Sequence, residues 1–143
     1  KKMPAQETAA NGATHQVTGL KFPPRKIACG LYHSLAICNV NADGTELLGE
    51  EETHLYSWGR NLHGMLAIFR DRKESHALPQ QVKPDVFTDG ATSKRSRAPR
   101  CIYEVACGLN HSIFLVKRPR DAGGQLYGCG LGNRGRLGGR DAK

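Results

Sequence analysis

Short apolar bursts recur along this chain, separated by polar or glycine-bearing stretches. HSLAIC (33–38) and HSIFLV (111–116) are two of them. Both are too short for helices, and the second is rich in β-branched and aromatic residues, so the pattern predicts strands. HLYSWG (54–59) and QLYGCG (125–130) read as further strands, each closed by a glycine. ALPQQV (77–82) is expected to add an outer strand, with Pro79 tolerable near an edge. Gly30 and Gly108 stand between two expected strands, where a tight turn asks for a positive φ. Tyr56 and Trp58 alternate within one strand and are expected on opposite faces of the sheet, in packing roles.

The bursts are duplicated. RKIACGLYHSLAI (25–37) aligns with YEVACGLNHSIFL (103–115), so that Cys29, Gly30, His33 and Ser34 match Cys107, Gly108, His111 and Ser112. LYSWGRNLHGMLA (55–67) aligns with LYGCGLGNRGRLG (126–138), pairing Tyr56, Gly59 and Gly64 with Tyr127, Gly130 and Gly135. Two different motifs in the same order, twice each, mark an internal repeat. Two polar stretches, 39–53 and 83–100, read as surface insertions between its strands.

The paired motifs resemble the repeats of the regulator of chromosome condensation family. ACGLYHSLAI and ACGLNHSIFL are similar to its A-C-G-x-x-H-S signature, and LYSWGRNLHGMLA to its L-Y-x-W-G-x-N-x-x-G-x-L-G signature. The resemblance implies an all-β chain: about two blades of a seven-bladed β-propeller, each a four-stranded antiparallel sheet with long loop insertions. The copies depart from the signature where Cys129 replaces Trp58 and where Ala67 stands for the final glycine. On this reading the chain divides into a flexible polar tail (1–20), a first propeller repeat (21–87), a basic loop insertion (88–100) and a second, incomplete repeat (101–143). Repeat arrays usually need about three units before their shared core is stable. A two-blade unit is therefore expected to be a fragment of a longer propeller, to oligomerise, or to pack inside a larger assembly.

Composition sharpens the functional side. Apolar residues make up 38%, enough for a modest core, and the net charge is +8. That excess favours acidic partners, protein or nucleic acid. The basic residues concentrate at Lys94, Arg95, Arg97 and Arg100, and again at Lys117, Arg118 and Arg120, which are the candidate contacts to nucleic acid or an acidic partner. No apolar run is long enough to span a membrane. Five cysteines, none in C-x-x-C spacing, read as free thiols in a reducing compartment, nucleus or cytoplasm, with an organelle interior as the remaining case. No histidines sit at metal-ligand spacing, so neither metal nor cofactor is expected. His-Ser and Cys-His pairs can serve nucleophilic catalysis. Their recurrence at equivalent positions in both copies points instead to structure, with each histidine bonding backbone groups of its neighbour. The expected role is a non-enzymatic interaction module or scaffold; the resemblance also implies guanine-nucleotide exchange on a Ran-type small GTPase as the alternative.

Gly130-Leu131-Gly132-Asn133-Arg134-Gly135 fits the spacing G-x-G-x-x-G of phosphate-cradling loops. Such a loop must open a helix, with an acidic residue about 20 positions on. Neither is present in the pattern. The matching stretch of the first copy lacks the spacing, so Gly130 and Gly135 read as turns of the repeat.

Overall fold

A computed structural model describes residues 14–39, 53–68, 70–87, 101–117 and 123–139. Among them are seven strands in two antiparallel sheets. The first sheet runs in sequence order: β1 (Pro24–Cys29), β2 (His33–Asn39), β3 (Thr53–Arg60) and β4 (Ser75–Val82). The second contains β5 (Cys101–Cys107), β6 (His111–Lys117) and β7 (Gln125–Gly130). Both are all-antiparallel meanders, as expected of adjacent propeller blades.

The uninterrupted apolar run of β2 has a direct cause. Leu35, Ala36, Ile37 and Cys38 are all fully buried because the first sheet is covered on both faces. On one face, Leu35, Ile37, Leu55 and Val82 meet Ile102, Val105, Phe114 and Val116 of the second sheet, with Phe87 between. Phe87 packs edge-on against both Phe114 and Tyr127, at ring-centroid distances of 5.2 and 5.4 Å. This seam is the main core. On the other face Ala36, Cys38 and Tyr56 are covered by Leu20, Phe22 and Trp58.

Two features correct the sequence reading. Tyr56 and Trp58 share one face, since a step of two residues along a strand returns to the same side. Gly30 and Gly108 are absent from the glycines with positive φ. They are glycine for lack of room: a Cβ on Gly30 would lie 2.2 Å from Cε1 of His33, and one on Gly108 2.0 Å from Cε1 of His111. The positive φ falls instead on Gly59 (96°) and Gly130 (102°), at the ends of β3 and β7. Pro79 lies inside β4, where the β3–β4 register slips between Ser57 and Gly59, so the ladder loses no regular bond to it.

Each sheet also carries a bulge at the same place. The β1–β2 register shifts between Pro24 and Lys26, and the β5–β6 register between Ile102 and Glu104. Arg25 and Tyr103 are the extra residues, turned out of the regular alternation.

Candidate functional site

The repeated histidine and serine are brought together across the seam. His33 Nε2 lies 2.9 Å from Ser112 Oγ, and Ser112 Oγ donates to the carbonyl of Met65 at 2.8 Å. The serine proton is thus committed to Met65, so His33 must donate its Nε2 proton to the serine oxygen. That is the reverse of nucleophile activation, in which the histidine accepts. Burial, then the nearby His111, hold the His33 pKa below its ordinary 6.5 against a backbone hydrogen bond at His111 that raises it. His33 Nδ1 is buried without a hydrogen-bond partner. A neutral imidazole tolerates this more cheaply than a charged one.

Burial pushes the Cys107 thiol up to about 11 and the Cys129 thiol up to about 12, and raises Cys38 as well. Thiols held protonated at neutral pH are poor nucleophiles and poor metal ligands. Cys29 is exposed at the end of β1 and accepts a long contact from Ser34 Oγ, 3.7 Å. No group of three or more metal-ligating side chains occurs among the described residues. Gly64 (φ 74°) and Gly135 (φ 70°) occupy matching turns after β3 and β7. Gly135 ends a short 3-10 turn, Asn133–Gly135, and none of the described residues up to 139 forms a helix after it.

The chemically distinctive surface is one rim of the seam, where β1 and β5 begin and β6 ends. Tyr103, on its bulge, is 43% exposed. Lys117 Nζ stands 3.8 Å from its ring centroid and Lys26 Nζ 5.3 Å. Lys26 is also ion-paired and hydrogen-bonded to Glu104 across the seam. That bond, more than the charge of Lys26 or Arg25, holds the Glu104 carboxyl below the usual carboxylate range. Of the basic residues singled out in the sequence, Lys117 joins this group. Lys94, Arg95, Arg97, Arg100, Arg118 and Arg120 lie outside the described residues. Lys26, Tyr103 and Glu104 escaped sequence reasoning, although the repeat alignment sets Lys26 opposite Glu104, a charge reversal between copies that was there to be seen. A separate cavity of about 300 Å³ opens beside the seam, lined among others by Ala67, Arg70, Phe87, Phe114 and Tyr127.

Residues 53–115 match the family model described as the regulator of chromosome condensation (RCC1) repeat. The match begins with β3 of one sheet and ends within β6 of the next. The chain is 49% identical over 118 residues to the human "Probable E3 ubiquitin-protein ligase HERC3", covering 82% of this chain and 8% of that protein. Among solved structures it is similar in fold to human WBSCR16, with a TM-score of 0.57 and 21% identity over 87% of this chain and 26% of that one.

Proposed function

The chain carries regulator of chromosome condensation repeats, and from that premise we propose that it is a non-catalytic interaction module that docks an acidic protein segment on its basic rim. The observation behind this reading is Tyr103, lifted out on a bulge with an ammonium group over its ring. Lys117 already occupies the ring that a stacked base would need, which favours carboxylates over nucleotides. Lys26 and Lys117 supply the charge, and Glu104 sets the spacing of any incoming acid by repelling it from one side.

The match spans 8% of HERC3, and ubiquitin ligation is not proposed for this chain. The test is fluorescence anisotropy with a labelled acidic peptide and a labelled single-stranded oligonucleotide, each titrated at rising salt. Peptide binding is expected to weaken with salt and to fall roughly tenfold when Lys26 and Lys117 are both replaced by Ala. Binding of the oligonucleotide alone, or peptide binding indifferent to the double replacement, would remove the reading. Release of labelled guanine nucleotide from a Ran-type GTPase, followed in parallel, is expected to stay at its intrinsic rate. Acceleration would put exchange activity in place of docking.

A further inference from the structure

The basic rim lies at one end of the strands. At the other end lie the turns after β1, β3 and β5. Four of the nine large apolar side chains exposed among the described residues sit in these turns: Leu31, Tyr32, Leu62 and Leu109. Backbone bonds tie the turns together. The Leu31 N–H reaches the Leu109 carbonyl at 3.3 Å and the Arg60 N–H the Tyr32 carbonyl at 2.7 Å, with Leu62 two residues further on. Exposed apolar side chains scattered singly are ordinary; a group of them is the mark of a contact surface.

A neighbouring sheet does not cover this group. Leu31 is 53% exposed with the second sheet following it, and Leu109 is 63% exposed with the first sheet preceding it. A sheet on either side thus leaves this leucine more than half exposed. Both copies nonetheless carry it. The residues around it serve packing: Gly30 and Gly108 make room for histidine rings, and His33 with Ser112 locks the seam. Leu31 and Leu109 belong to neither buried cluster.

Tyr32 also borders a hollow of about 640 Å³, lined in addition by Arg60, Glu74 and Ser75 among others. The Arg60 guanidinium carbon stands 5.4 Å from the Tyr32 ring centroid. Such a contact engages the positive charge through the ring face and leaves the N–H donors to other acceptors. Among the described residues, no carboxylate pairs with Arg60 and no group accepts a hydrogen bond from its side chain. The second copy has Asn110 and Leu131 in place of Tyr32 and Arg60. The fold of a repeat therefore does not require this pair.

We propose that this end of the sheets docks a partner protein segment that lays apolar side chains on Leu31, Leu62 and Leu109 and sets one carboxylate on Arg60. An arginine and a carboxylate can close with two parallel hydrogen bonds, and apolar contacts around them keep water out. Glu74 lines the same hollow and repels a second carboxylate. A run of acids, the ligand suited to the basic rim, is disfavoured here. The two sites use opposite ends of the strands and stand or fall separately.

Selection of random peptides displayed on phage tests this, run on the wild-type chain after depletion on a Leu31→Ser/Leu109→Ser double variant. Both replacements are at exposed positions, and circular dichroism verifies that the sheets persist. Enriched peptides are expected to combine apolar residues with a single Asp or Glu. In fluorescence anisotropy, the most enriched peptide is expected to bind roughly tenfold more weakly to Arg60→Gln and to the double leucine variant. Its affinity is expected to be unchanged when Lys26 and Lys117 are both Ala. Exchanging the peptide's carboxylate for the amide is expected to weaken binding to the wild-type chain and to have no further effect on Arg60→Gln. No enrichment beyond the depleted pool overturns the proposal, as do enriched peptides without a shared carboxylate. Binding that survives Arg60→Gln but falls with the lysine pair overturns it too, and assigns the peptide to the basic rim.

Discussion

At the scale of single residues, several glycines that look alike in the sequence are held by different forces. Gly64 has φ 74° and open space around a hypothetical Cβ. Gly64→Ala is thus expected to cost about 1 kcal/mol, the backbone preference alone. Gly59 combines φ 96° with a Cβ position 2.4 Å from the Tyr32 carbonyl oxygen. Gly59→Ala is expected to cost at least about 3 kcal/mol, since backbone must move. Urea unfolding of the two variants checks the ranking. The serines of the repeat contrast in the same way. Ser112→Ala strands a buried His33 N–H and the Met65 carbonyl, and is expected to cost about 2–4 kcal/mol. Ser34→Ala, at the partly exposed counterpart, is expected to stay within about 0.5 kcal/mol. The His33 pKa is lowered in the folded chain. Below an unfolded value near 6.5 the unfolded chain binds a proton that the folded chain resists. Stability is therefore expected to fall as pH drops below about 6.5 toward the depressed folded value, and to be fully present above it. His33→Gln should flatten that slope in denaturation curves taken from pH 7 down to pH 5.

At the scale of elements, the sequence showed strands but not all of what faces them. HSLAIC was legible as a strand because its apolar run is short and glycine-bounded. That it is buried on both faces depends on Leu20 and Phe22, which straddle the boundary between the expected tail (1–20) and the first repeat (21–87). Phe22 stacks on His54 at 4.4 Å between ring centroids and helps cover Cys38. Phe22→Ala is expected to speed labelling of Cys38 by a thiol reagent roughly tenfold for each 1.4 kcal/mol of local protection lost. Exposed Cys29 is the internal reference and should not change. Gly30 and Gly108 were legible as obligatory glycines, but not for the right reason. The histidine ring that fills the missing Cβ's place comes from three residues along, and only the folded turn brings it there. Tyr103 was illegible because a bulge breaks the alternation from which facing is read. Its lysine neighbours come from β1 and β6, far apart in sequence.

At the scale of the whole molecule, a single seam joins both sheets, with Phe87 at its centre. The described chain is therefore expected to unfold in one step. Trp58 is the single tryptophan and belongs to the first sheet, so its fluorescence reports that sheet alone. Its transition should coincide with the loss of β signal in circular dichroism, which reports both sheets. Phe87→Ala is expected to cost about 3–5 kcal/mol and to separate the two curves. The repeated His-Ser and Gly motifs made this organisation readable from sequence, since a duplicated motif demands duplicated surroundings. The phase of the repeat was not readable. The family match opens at β3 and closes in β6, so the matched unit is the last two strands of one sheet, the first two of the next and the joint between them. Were a coding segment of that span duplicated or lost, the chain would gain or lose one joint and leave every remaining joint intact. Such a unit can be counted up or down by recombination without any intermediate length having to invent a new interface.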